Sequence, residues 1–244
     1  MRRFATFTLM AAMRLRPLRW LAWGLGALLF LLALLQFWYF AHLVWYRSHN
    51  PEQTAFMSMR TEELRQKSAQ AKLRHQWVPY SRISVHLKRA MIAAEDAKFV
   101  EHEGFDWDGI QRAMEKNQKK GRVVAGGSTI TQQLAKNLFL STQKSYARKA
   151  EEAIITVMME AVIEKQRIFE IYLNVIEWGN GIFGAEAAAR HYFGVAAADL
   201  SAEQAARLAA MAPNPRYYER NPQAKGLAKK IPIILARMPG AELP

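Results

Sequence analysis

The chain has 244 residues, room for one sizeable domain plus an appendage, and 51% of them are hydrophobic, which argues against disorder. It contains no cysteine, so disulfides, thiolate zinc sites and cysteine nucleophiles are excluded. A formal net charge of +13 suits nucleic acid, anionic lipid or a phosphorylated substrate, and by itself does not choose among them.

Residues 1–50 carry six arginines and no acidic residue. Between Trp20 and Tyr46 no side chain is formally charged, and the stretch Leu21–Phe40 reads LAWGLGALLFLLALLQFWYF. About 20 apolar residues cross the hydrocarbon layer of a bilayer. The run is longer than the apolar part of a signal peptide and ends in rings that favour a membrane interface: Phe37, Trp38, Tyr39, Phe40, Trp45 and Tyr46. Residues 20–46 are therefore expected to be an uncleaved transmembrane anchor. Arg2, Arg3, Arg14, Arg16 and Arg19 precede it, whereas Arg47 and Arg60 beyond it are mixed with Glu52, Glu62 and Glu63. The excess of basic residues stays inside, so residues 1–19 form a cytoplasmic segment and the rest lies outside. No nucleic-acid partner is expected there.

Residues 47–80 read as a polar, largely helical connector to a domain spanning 81–244. In Ser81–Val100 the residues Val85, Ala90, Met91, Ala94 and Phe99 recur at helical spacing. Residues 104–127 are flanked by glycine and basic, with Lys116, Lys119, Lys120 and Arg122, and read as a loop or small flap. Helices are expected over Thr129–Phe139, over Arg148–Glu164 with Ile154, Ile155, Met158 and Val162 buried, and over Arg167–Asn174. Ser201 and Gln204 make a capping-box pattern before an alanine-rich helix at 202–212, which Pro213 and Pro215 end. No alternating strand pattern is evident. The fold class is mainly α.

Four segments carry chemistry. EDAKFVEHEGFD (95–106) places Glu95 at the end of an apolar helix, where desolvation raises a carboxyl pKa and suits it to acid–base work; alone it reads equally as a charged helix end. GGSTITQQ (126–133), followed by Lys136 and Asn137, offers a tight turn and a helix amino terminus whose free N–H groups bind anions, or an ordinary helix cap. RKAEE (148–152) and KQRIFEIYLN (165–174) read singly as surface ion pairs, Arg148 with Glu152 and Lys165 with Glu170.

Taken together and in this order, the four segments closely resemble the signature motifs of glycosyltransferase family 51: EDxxFxxHxGxD, GGSTITQQ, RKxxE and KxxILExYLN. The likeness spans roughly residues 80–220 and includes GNGIFGAEAAARHYFG (179–194) and APNPRYY (212–218). Phe169 stands where the pattern has leucine. The resemblance implies a lysozyme-like helical glycosyltransferase domain bearing Glu95, with a smaller membrane-facing lobe within about 105–145 whose Leu138, Phe139 and Leu140 dip into the bilayer. It also implies a location in the bacterial inner membrane, with the catalytic domain periplasmic.

The implied reaction is inverting β-1,4 polymerisation of lipid II onto a lipid-linked glycan, with release of lipid pyrophosphate. Glu95 matches the family's general base and Glu152 its second essential glutamate. Ser128, Thr129, Gln132, Gln133, Lys136, Asn137, Arg148 and Lys149 match its substrate-binding set. Glu152 either holds a divalent cation, magnesium or manganese, or orients Arg148; the sequence leaves both open. Cell-division or elongation proteins are candidate partners. No transpeptidase domain is expected: Ser141–Lys144 matches SxxK, but no SDN or KTG accompanies it. The rival readings are a lytic cell-wall enzyme and a non-catalytic scaffold.

Overall fold

The computed structural model describes residues 3–122, 126–143 and 145–244, with side chains described from Arg19 onward. Arg2 and Lys144 of the SxxK match lie outside the described residues, as do the side chains of Arg3, Arg14 and Arg16. Two compact units are present, one ending at His42 and one comprising Leu43–Pro244.

The first unit is built on helix α1 (Arg3–Tyr46). Its stretch Arg19–Tyr46 has a mean hydropathy of 2.0 and is long and apolar enough to cross a membrane. Trp20, Leu21, Trp23, Phe30 and Leu31 are exposed, as they would not be in the core helix of a soluble protein.

The second unit runs α2 (Ala55–Lys67), β1 (Arg74–His75), α3 (Val85–Glu95), α4 (Trp107–Lys120), α5 (Ile130–Phe139), α6 (Tyr146–Val162), α7 (Lys165–Val175), β2 (Glu177–Gly179), β3 (Ile182–Phe183), α8 (Ala185–Phe193), α9 (Ala202–Met211), α10 (Pro215–Arg220) and α11 (Lys225–Arg237). α3 packs against α9 and α11; α5 packs against α2, α6 and α7. Trp178, Tyr172, Phe99, Phe169 and Phe183 are fully buried, each stabilising the unit by roughly 1.5–3 kcal/mol. Phe169 fills the core beside Phe99, ring centroids 5.5 Å apart. A small sheet of order β1–β3–β2 pairs β1 with β3 in parallel and β2 with β3 antiparallel. Strands this short leave no alternation to read in a sequence.

Several expectations are corrected. The flap expected within 104–127 contains the 14-residue helix α4. The Asp106 side chain accepts from Gly109 N, Asp108 lies in the first turn, Lys119 and Lys120 in the last, and Gly121 caps the end at φ +61°. Those are sound start and stop signals; the helix is strongly polar overall, which hides it, and only Ala113 is buried. In α6 the buried residues are Glu152, Ile155, Thr156 and Met159, whereas Ile154 is exposed. The buried face is thus turned from the one expected, because α5 covers the side that carries Glu152. Val85 is likewise exposed in α3. Leu138 and Leu140 are buried rather than offered to a membrane, and the Phe139 ring lies 6.2 Å from that of Tyr46. Residues 47–80 pack into the unit: α2 lies on α5, and Arg60 Nε donates to Glu177 at 3.2 Å.

Candidate active site

α3 ends at Glu95, and Asp96 caps it. Asp96 then organises the site. Its Oδ2 accepts from Ile130 N at 2.9 Å, and its Oδ1 lies 2.9 Å from His102 Nε2. The amino end of α5 is therefore already occupied by a carboxylate. Two further donors are spent locally: Gln132 N donates to Thr129 Oγ1, and Thr129 N donates to Gln132 Oε1, a complete capping box. Thr129 Oγ1 donates to Gly104 O at 2.7 Å. Gly104 sits at φ +88°, and a Cβ there would come within 2.6 Å of Thr156, so the chain passes only because this residue is glycine.

Of the two readings of GGSTITQQ, these hydrogen bonds are those of a helix cap. Thr129 is buried, and its hydroxyl is engaged by Gly104 O and Gln132 N. Ser128 and Gln132 do border a cavity, about 500 Å³ in volume, together with Gln133, Lys136, Ser145, Tyr146, Arg148, Lys149 and Glu152. Asn137 faces a neighbouring cavity of about 250 Å³, which shares Gln133 and Lys136 with the first and adds Arg60, Tyr172, Glu177 and Arg216. The spacing of Gln133 and Lys136 on one face of α5 was legible from helical geometry.

Glu95 accepts from Gln133 Nε2 at 2.8 Å. The orientation of that amide is set from behind, where Tyr172 Oη donates to Gln133 Oε1 at 3.1 Å. Burial raises the Glu95 carboxyl above its ordinary range; the Gln133 hydrogen bond and the charge of Lys230 partly oppose this. Burial also lowers Lys136 below the usual lysine range, opposed by Glu152 and reinforced by Arg148 and Lys149.

Glu152 is buried in α6, and both its oxygens are taken. Arg148 Nη1 donates to Oε2 at 2.8 Å, and Lys149 Nζ donates to Oε1. The Arg148–Glu152 pair read from spacing is present, but it is buried on the glutamate side rather than a surface pair. Lys165 pairs with Glu160, not Glu170, which Arg167 takes instead. No group of three His, Cys, Asp or Glu placed to hold a metal occurs among the described residues. With both Glu152 oxygens held by cations and no second carboxylate among the described residues lining that cavity, the donor set does not fit a resident magnesium or manganese ion.

Three participants escaped sequence reasoning. Asp96 was legible only as motif acidity, Tyr172 only as part of the segment 165–174, and Lys230 not at all, because α11 reaches α3 through the tertiary fold.

Residues 61–239 match the family model described as Transglycosylase. The chain is similar to a biosynthetic peptidoglycan transglycosylase of Dechloromonas aromatica (strain RCB), 66% identical over 226 residues, which is 93% of this chain and 98% of the relative. It is also similar to proteins of that name from Methylobacillus flagellatus, 63% identical over 91% of this chain and 96% of the relative, and from Azoarcus sp. (strain BH72), 61% identical over 93% and 97%. With the motif residues converging on one groove and the match spanning most of its length, the chain belongs to the transglycosylase family.

Proposed function

We propose that this enzyme polymerises peptidoglycan glycan strands, with lipid II as the acceptor and the growing lipid-linked glycan as the donor. The supporting observation is one shared wall. Gln133 holds Glu95 and, with Lys136, also lines the cavity that carries Arg148 and Lys149. A base and an anion site therefore meet across two residues.

In this reading the acceptor 4-hydroxyl attacks the anomeric carbon of the donor while Glu95 takes the hydroxyl proton. The bond from that carbon to the phosphate oxygen breaks, and its electron pair leaves on the lipid pyrophosphate. An inverting displacement needs a base. Its leaving group needs charge neutralisation more than protonation. A glutamate raised by burial is suited to the first task. Lys136, Arg148 and Lys149 are suited to the second, with Glu152 holding the latter two in place. No step is routed through a metal. A lytic enzyme would have no use for this cation cluster.

The apolar helix anchors the enzyme on the membrane that carries its substrates, which raises their effective concentration. We place residues 50–244 on the outer face of the inner membrane. Protease added to spheroplasts should reach them, and full protection would reverse the topology. The function itself is tested by incubating the full chain with lipid II and, separately, with intact sacculi. Glycan strands from lipid II support the polymerase. Release of sugars from sacculi, with no strand synthesis, supports the lytic reading.

A further inference from the structure

Beyond Arg216 lies a third cavity, about 680 Å³, whose cations are Lys67, Lys72, Arg74, Arg216 and Arg220, with His191 also in its wall. It is built by the end of α2, the turn between β2 and β3, α8 and α10. Gly181 in that turn has φ +74°, a backbone conformation that favours glycine, and packs beside Leu64 of α2.

The charges here do not balance. Arg216 is committed to Glu63 at 3.0 Å and to Asn180, and its Nε lies 3.6 Å from Glu177. Glu219 is shared between His191 and Asn180 N. Lys67, Lys72, Arg74 and Arg220 have no carboxylate partner among the described residues. Arg74 Nη1 lies 3.0 Å from His191 Nδ1 and Arg220 Nε donates to Arg216 O, both neutral partners, so four cations without a carboxylate surround one concavity and attract an anion.

The position says which anion. Arg216 also lines the cavity containing Glu177, Gln133 and Lys136, and the last two line the cavity of Arg148 and Lys149. The three cavities are thus neighbours through shared wall residues, from the cavity of Arg148 and Lys149, by Gln133 that holds Glu95, to this cationic end. Sugar rings along these cavities are neutral, but each peptidoglycan unit carries a short peptide with free carboxylates. Arginine forks and lysine ammonium groups both suit carboxylates. None of the large exposed apolar side chains lines the cavity, which disfavours a lipid surface as its occupant.

We propose that this cavity binds the carboxylates of the peptide carried by a sugar unit lying in the groove, so that the enzyme reads the stem peptide as well as the glycan. This rests on the polymerase reading above. The test compares lipid II bearing free stem carboxylates with lipid II whose stem carboxylates are amidated, using the full chain and its Lys67→Gln/Lys72→Gln variant, with Arg220→Gln as a second variant. Loss of two cation–carboxylate contacts should raise KM for the free-carboxylate substrate about tenfold with kcat little changed. The same variant should act on the amidated substrate as the wild type does, at the wild type's own raised KM. Equal KM for both substrates in the wild type would overturn the proposal. So would a variant defect of equal size on both, or a defect that appears only with anionic phospholipid vesicles and so belongs to the membrane. A wild type that polymerises neither substrate would overturn the polymerase reading, and this inference with it.

Discussion

Glu95 and Glu152 flank the same lysine and are handled in opposite ways. Glu95 ends α3, and its carboxylate accepts from one neutral amide, Gln133. Glu152 lies within α6, and two cations, Arg148 and Lys149, cover its oxygens. A desolvated carboxylate with a single neutral donor gains proton affinity and can work as a base. A carboxylate clasped by two cations serves instead to hold those cations in place, because moving either would strand a buried charge. One residue type in one groove thus takes two roles, and the neighbours supplied by α5 and α6 decide which.

The sharpest way to break this contrast is Glu95→Gln. Loss of a general base costs about 10²–10⁴ in rate. The same change removes a buried charge, so the variant should melt slightly higher than the wild type at neutral pH. Polymerisation assays with thermal melts read both effects. Near-normal turnover would remove Glu95 as the base, and a large fall in melting temperature would make it structural.

Next in size is Lys136→Ala, which should lower turnover by roughly 10²–10³, the scale for one preorganised charge-stabilising group. Lys136→Arg should rescue it only in part, because a planar fork replaces a compact point charge. Unchanged strand synthesis by the alanine variant would place the leaving group elsewhere.

The wild-type pH profile comes third. Glu95 acts as a base only when ionised, and its raised pKa moves that requirement above the ordinary glutamate value of 4.5. The rate should fall as pH drops through this higher value. A plateau extending down to 4.5 would show that the burial of Glu95 has no bearing on the chemistry.

The smallest effect is expected from Tyr172→Phe. It deletes the hydroxyl that fixes the Gln133 amide and costs about 1 kcal/mol of stability. The freed amide can turn its oxygen toward Glu95, so the acidic limb of the rate profile should move to higher pH. A variant that loses stability with an unmoved limb would make the tyrosine a core residue only.

Much of this was legible before the fold. The capping box of α9 follows from Ser201 and Gln204, as read in the sequence; α5 carries a second one, on Thr129 and Gln132, that only the structure brought out. The i,i+4 pair Arg148–Glu152 follows from helical spacing. What misled was the GGST turn. A glycine turn before a helix suggests free N–H groups, yet Asp96, 34 residues earlier, reaches Ile130 N and fills the place of the expected anion. The rotation of α6 was hidden for a similar reason. Its apolar residues are spread around the helix, and only packing against α5 selects the face that includes Glu152.

The sequence by itself determined the long apolar helix, the capped start of α9 and the chemical identities of the acid and the cations. Those depend on the length of an apolar run, on caps three residues apart and on side-chain type, all of which act over short chain distances. Tertiary structure alone decided that Gln133 meets Glu95 across 38 residues and Tyr172 meets Gln133 across 39. It also decided that Lys67 and Arg220 line one cavity. Such meetings are set by how α3, α5, α7, α10 and α2 pack, and no local propensity encodes a contact made only when distant segments are brought together by a shared core.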